Sequence, residues 1–91
     1  MLLDGMEAQV FVIDMGTSVQ NLTVRNIIPG QLYVFLLVQN AAGGHSFNWG
    51  NTITNGATIN PAPHSTTSQA CIGRPGGLMQ AITAGTWTEA P

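Results

Sequence analysis

The side chains that could do chemistry in this chain are few and widely spaced. The two histidines, His45 and His64, could hold a metal ion with Asp14 or Cys71 as a third ligand, but their spacing matches no ligand motif. Cys71 with a histidine and Asp14 could imitate a catalytic triad, yet the sequence has neither a nucleophile elbow nor a Gly-x-Ser-x-Gly run. Glu7 and Asp14 are too isolated to predict the paired carboxylates of a glycosidase. We therefore predict no catalytic residue, no metal ligand and no cofactor.

Scarcity of charge is the unusual feature of the composition. Only 7% of the residues are charged, against roughly 25% in an ordinary soluble domain, and the basic residues are Arg25 and Arg74, with no lysine. Disorder does not explain this, because 44% of the chain is hydrophobic and the net charge is only −2. Two separated arginines cannot neutralise a nucleic-acid backbone, so nucleic acid is excluded as a partner. A surface so poor in charge associates readily, which predicts a homo-oligomer or a lattice component.

Membrane insertion, secretion and disulfide bonding are not indicated either. No stretch approaches the roughly 20 consecutive apolar residues of a membrane span. The opening residues Met1–Gly5 have no positive start and no long apolar run, so we predict no secretory signal. The single cysteine, Cys71, cannot form an intramolecular disulfide and is expected to be a buried free thiol.

The elements that must position these side chains are short extended runs divided by Gly, Pro and Asn. We expect strands at Ala8–Met15, Val19–Ile28, Leu32–Val38, His45–Trp49, Ala70–Ile72, Leu78–Thr83 and Thr86–Thr88, with a small hairpin over Thr52–Ile59 that turns at Asn55-Gly56. Pro29-Gly30 and Ala84-Gly85 are expected to be turns, and Asn60–Gln69 a surface crossing. The pattern predicts an all-β fold, a small antiparallel β-sandwich or jelly-roll-like barrel of seven to eight short strands. An N-terminal arm, residues 1–7, would precede a single domain, residues 8–91.

The run Leu32–Val38 is apolar on both faces, with Leu32, Val34, Leu36 and Val38 on one side and Tyr33, Phe35 and Leu37 on the other. A strand of an antiparallel sandwich normally has one wet face, so this strand is either covered on both sides or presents one face to another subunit. We predict subunit contacts at Tyr33, Phe35 and Leu37. The predicted core residues are Leu36, Val38, Phe47 and Trp49.

Aromatic residues raise a second interpretation, because aromatic faces stack on sugar rings. Trp49, Trp87 and Tyr33 could serve in this way, and the many Asn and Thr residues suit hydrogen bonding to carbohydrate. Two tryptophans in a small β-domain also suit the role of core anchors. The sequence leaves both interpretations open.

From Gly30 onward the chain resembles a segment of tailed-bacteriophage structural proteins, which include fibre tips, tail proteins and small head proteins. Its parts here are the strand Gly30–Asn40, the turn Ala41–Gly44 leading to a strand that ends in Trp49, the Pro-containing loop Asn60–Pro63 and the closing Gly85-Thr86-Trp87. Gly50 stands where such proteins typically place Pro.

The resemblance implies an architectural role that brings no catalytic residue to the chain. Together with the scarcity of charge and the strand that is apolar on both faces, it leads us to predict a capsid decoration (cement) protein on the outer surface of the virion, made in the cytoplasm of the host bacterium. We expect a homotrimer whose other partner is the major capsid protein, with the arm at residues 1–7 docking on a neighbour. The alternative is a tail-fibre or receptor-binding tip module that recognises host surface glycan through Trp49 and Trp87.

Overall fold

The computed structural model describes residues 2–19, 22–50 and 53–88, and these contain seven β-strands and no helix. The strands are β1 (Leu2–Asp4), β2 (Val10–Met15), β3 (Thr23–Arg25), β4 (Leu32–Gln39), β5 (Ile53–Thr54), β6 (Ser65–Arg74) and β7 (Leu78–Thr88). The predicted all-β fold is therefore confirmed. The same ranges hold no apolar helix long enough to cross a membrane.

Five of the strands form one curled sheet in the order β2-β4-β6-β7-β5, and β1 and β3 form a separate parallel pair. Strand β6 runs antiparallel to both of its neighbours, whereas β2–β4 and β5–β7 are parallel pairs. The sheet is thus mixed rather than purely antiparallel. Residues 16–31 connect β2 to β4, and a connection of that length is long enough for a parallel crossover.

Two predictions for the second half of the chain are wrong: the turn at Ala84-Gly85, and the last part of the surface crossing Asn60–Gln69, which is strand. Ala84-Gly85 continues as extended strand within β7, and the irregularity lies nearby, where Ala70 pairs with Thr83 and Cys71 with Ala81. Ile82 is the extra residue of this β-bulge. Residues 65–69 extend the predicted strand Ala70–Ile72 into β6, because threonine and glutamine side chains here can turn inward and still find hydrogen-bond partners.

Two further strand predictions are corrected. The predicted strand Val19–Ile28 shortens to β3 and one bridge between Val19 and Phe47, and its residues 20–21 lie outside the described ranges. The hairpin at Asn55-Gly56 does not form, since Ile53 and Thr54 pair with β7 instead; its Thr52 also lies outside the described residues. Gly56 lies on the ring of Trp49, where a Cβ would come within 2.5 Å of Cδ1.

The core lies on the concave side of the five-stranded sheet. Tyr33, Phe35 and Leu37 of β4 point into it, and the ring of Phe35 stacks on Phe11 of β2 at 5.3 Å between centroids. Trp49 meets Phe35 edge to face at 5.5 Å. Because β1, β3 and the connecting loops cover this side, Phe35 contributes several kcal/mol as a fully buried aromatic residue.

The first residues pack on their own chain rather than extending as an arm. Tyr33 Oη donates a hydrogen bond to the carbonyl oxygen of Gly5 (2.9 Å) and accepts one from the amide of Ile28 (3.1 Å). Arg25 Nε lies 3.4 Å from Asp4 Oδ2, and the Gly5 amide donates to the Arg25 carbonyl. Of the predicted arm, residues 2–5 are therefore anchored in the domain, and Met1 lies outside the described residues.

We expect Tyr33→Phe to destabilise the protein by about 1–3 kcal/mol, because it removes the hydroxyl group that bonds the buried Gly5 carbonyl and the Ile28 amide. Urea denaturation measures the loss, and hydrogen exchange at the Ile28 amide, which donates to Tyr33 Oη, should accelerate. The volume-conserving Met79→Leu, at another fully buried position, should cost less than about 1.5 kcal/mol without affecting exchange at Ile28. An unchanged midpoint and unchanged exchange at Ile28 in Tyr33→Phe would contradict the assigned anchoring role.

Candidate interaction surface

The convex side of the five-stranded sheet, here called the outer face, carries many apolar side chains. Side chains alternate across each strand, so the register of the ladders identifies the residues that share this side. They are Val10, Val12 and Asp14 of β2; Leu32, Val34, Leu36 and Val38 of β4; Thr66, Ser68, Ala70, Ile72 and Arg74 of β6; and Leu78, Gln80, Thr83, Gly85 and Trp87 of β7.

The predicted subunit contacts lie on the opposite side of the sheet. Tyr33, Phe35 and Leu37 are 0% exposed in the single chain, so no neighbouring subunit can touch them and the prediction is wrong. These side chains face inward because the core needs large apolar groups. The ring of Phe35, for example, packs on the concave side against the rings of Phe11 and Trp49.

The predicted core residues divide between the two sides. Trp49 is buried, and Phe47 is half-buried and packed against the core, with 4.8 Å between the two ring centroids. Leu36 and Val38 belong instead to the outer face, where they are half-buried between neighbouring strands, so placing them in the core was wrong. The sequence analysis correctly identified which residues of β4 share a side, but it took the buried side for the subunit contact and the outer side for the core.

The outer face combines exposed and half-buried aliphatic side chains. Val12 of the edge strand β2 is 62% exposed, and Leu32 at the start of β4 is 58% exposed. Val34 and Leu36, between β2 and β6, are half-buried. Exposed apolar patches of this kind mark interaction sites, so the outer face has the character of an interface.

Among the described residues, the outer face carries two charged side chains, Asp14 and Arg74. Asp14 lies on the edge strand β2 at the end of the sheet where β4 finishes, and Arg74 lies at the other end, on the central strand β6; these two positions are here called the corners. Neither side chain has an ion-pair partner among the described residues, whereas Arg25 is paired with Asp4. The alternation of β2, with Phe11, Ile13 and Met15 buried, is the sequence signal that could have identified Val10, Val12 and Asp14 as outward.

A buried glutamine fastens the turn that follows β4. Gln39 Nε2 donates to the carbonyl oxygens of His45 (2.6 Å) and Asn60 (3.3 Å), and Gln39 Oε1 accepts from the His45 amide (3.2 Å). Asn40 Oδ1 accepts from the amides of Ala42 (3.0 Å) and Gly43 (3.1 Å). One side chain thus joins the end of β4 to the turn and to the proline-containing loop.

Gly43 shows why this turn needs glycine. Its φ of +64° lies in the left-handed region, and an added Cβ would stand 2.7 Å from the carbonyl oxygen of Pro61 and from the nitrogen of Pro63. The Gly44 amide donates to the same Pro61 carbonyl at 2.7 Å. The Asn-x-x-Gly-Gly turn and the Pro loop of the phage-like segment are therefore packed directly on each other.

The two tryptophans suggested for glycan contact lie on opposite sides of the sheet. Trp49 is 8% exposed, its ring is covered by Gly56, and its Nε1 donates to the Ala57 carbonyl at 2.8 Å. Trp87 is 45% exposed and opposes Thr66 on the outer face. A shallow groove of about 540 Å³ passes Phe47, Asn48 and Thr58 beside the edge of Trp49, but Trp87 does not line it.

The reactive side chains remain apart in the fold. Among the described residues no three of His, Cys, Asp and Glu come together as a metal site. His45 Nε2 lies 3.2 Å from Asn40 Oδ1 within the turn, and His64 occupies a left-handed position before β6. Cys71 is a buried free thiol, as predicted, and its burial raises its pKa to about 11, which leaves it a poor nucleophile near neutral pH.

Comparisons of the chain with protein-family models, with curated proteins and with solved structures find no match.

We expect Gln39→Leu to destabilise the protein by about 2 kcal/mol, because the substitution keeps the side-chain volume but leaves the His45 backbone groups without their partner. Denaturant unfolding measures this loss. The matched control is Gln80→Leu, since the Gln80 amide donates only to the adjacent Ala81 carbonyl at 3.3 Å, and it should change stability by less than about 0.5 kcal/mol. Equal effects of the two substitutions would show that Gln39 does not fasten the turn.

Proposed function

We propose that this protein is a structural component of a bacteriophage particle, a decoration (cement) protein that binds the outer surface of the capsid. The single observation that carries the proposal is the outer face, an exposed and largely aliphatic sheet surface on a chain with very few charges. Exposed apolar patches mark interaction sites, and a surface poor in charge favours association. A particle built from repeated subunits supplies that cover.

The turn after β4 supports the phage-like interpretation of the sequence. The Gln-Asn and Gly-Gly residues of the segment are held together by the Gln39 hydrogen bonds and by the contact of Gly43 with the Pro loop. Gln39 and Asn40 have a hydrogen-bonding reason for their type, and Gly43 has a packing reason. This agrees with an architectural role for the segment and assigns it no chemistry.

As a decoration protein the chain would act mechanically. It would hold neighbouring capsid subunits together by burying apolar and hydroxyl-rich surface across their junction, and specific contacts of this kind bury on the order of 1,600 Å². The protein would need no cofactor. The partners we propose are other copies of the chain and the major capsid protein.

Binding to phage heads assembled without the protein tests this function. We expect the purified chain to pellet with such heads at saturable stoichiometry and to raise the temperature at which they release DNA. Leu36→Glu, in the middle of the outer face, should weaken binding at least about tenfold, because it places a charge in an apolar contact.

Ser46→Glu is the control, since Ser46 is exposed and lies outside the outer face. It should bind heads as the unaltered protein does. A folded protein that stays in the supernatant over a wide range of concentrations would contradict the decoration function.

Trp87 favours one alternative, a tail-fibre tip module that recognises host glycan. Its large ring is partly exposed beside Thr66, and an exposed aromatic ring with a neighbouring hydroxyl is suited to stacking on a sugar. Trp49 does not contribute to this alternative because the fold covers it.

A glycan array with the unaltered protein and two variants tests the alternative. If the module recognises glycan, Trp87→Ala should abolish binding, since the stacking surface is lost. Ile82→Ala, at another exposed apolar residue of β7, should retain it. An array without hits, or hits that survive Trp87→Ala, would remove the alternative.

A further inference from the structure

We propose that the outer face packs against the same face of a second copy of this chain, about a two-fold axis that brings Asp14 of each copy next to Arg74 of the other. This inference rests on the proposal that the outer face is an assembly surface, and it identifies a second copy of the chain as the protein that covers this face. The observation behind it is the placement of one acid and one base at opposite ends of a face whose other described residues are uncharged.

The sheet register gives the position of the two corners. Asp14 pairs with Val38 of β4, and Val38 pairs with Thr66 of β6, so these three residues lie at one level of the sheet. Arg74 is eight residues after Thr66 on β6, which is about 26 Å along the strand at 3.3 Å per residue. Two strand spacings separate β2 from β6, which is about 10 Å across the sheet. A two-fold axis between the faces, perpendicular to this diagonal at its midpoint, exchanges the corners and forms two reciprocal ion pairs.

The same axis gives the two sheets a favourable crossing angle. The Val34 amide, on a residue that faces outward, donates to Gln9 just before β2 (2.9 Å), so β2 lies to the right of β4 when the outer face is viewed with β4 running upward. The line from Arg74 to Asp14 then leans about 20° to the right of the strands. Because the two-fold axis is perpendicular to this line, the strands of the second copy cross those of the first at twice that angle, about −40°. This is near the roughly −30° of aligned sheet packing.

The size of the face sets an upper limit on the area that a dimer can bury. Four strands about 4.8 Å apart and a length of about 26 Å cover on the order of 500 Å² in each copy. Two such faces bury at most about 1,000 Å², the lower limit for a specific interface. Val10, Val34 and Ala70 lie at the level of the midpoint between the two corners, where an apolar contact contributes most.

A second copy explains the corner charges better than an unrelated partner does. The face is its own complement, since the exchange leaves both corner charges paired. The geometry points to a dimer, whereas the sequence alone suggested a trimer.

Charge reversal tests the dimer on the purified chain without heads. Sedimentation equilibrium of the unaltered protein should fit a monomer–dimer association. Asp14→Arg and Arg74→Asp should each weaken dimerisation at least about tenfold, because each places like charges together at both corners. The double variant Asp14→Arg/Arg74→Asp should restore the dimer dissociation constant to within about threefold.

Glu7→Arg is the control, because it makes the same charge change at an exposed residue outside the outer face, and it should not alter association. A monomer at all concentrations, a trimer, or a double variant as weak as the single ones would overturn the two-fold contact. Head binding separates this result from the proposed function. A dimer that ignores heads contradicts the decoration function alone, and a monomer that binds heads overturns the dimer alone.

Discussion

The alternation of side chains along β4 is the constraint on which the rest of the structure depends. Every second residue must face the same side, so a strand that is apolar at nearly every position cannot bury all its side chains against a single layer. In the part of the chain that the structure describes, β1, β3 and connecting loops form the second layer, and they lie on the concave side. The aliphatic residues Val34 and Leu36 are consequently left on the outer face.

The concave side takes the larger side chains because the core needs their volume. Tyr33, Phe35 and Leu37 fill it, and the tyrosine hydroxyl also holds the first strand through Gly5 and Ile28. At the end of the same strand, the Gln39 side chain donates hydrogen bonds to the carbonyl oxygens of His45 and Asn60 and so holds the two loops on the core. The core and the turn therefore share one strand, so a change in its register would disturb both.

The sequence predicted the β-class, β2, the course of β4 and the turn at Pro29-Gly30, because each has a local signal of β-branched residues, period-two alternation or turn residues. It did not predict which side of β4 is the core, since both sides are apolar and the choice depends on the partners. The hairpin at Asn55-Gly56 was wrong for a related reason. Local turn preference was outweighed by pairing of Ile53 with β7 and by packing of Gly56 on Trp49.

The scarcity of charge and the exposed outer face have one explanation if the chain functions inside an assembly. A monomer needs charged residues on a sheet face to remain soluble, whereas a face that is covered excludes them, because each buried charge must be paired. The two charges that the outer face does carry, on Asp14 and Arg74, lie at its ends, where partial exposure to water makes an ion pair inexpensive. There they can set the orientation of a neighbour while the aliphatic middle contributes the affinity.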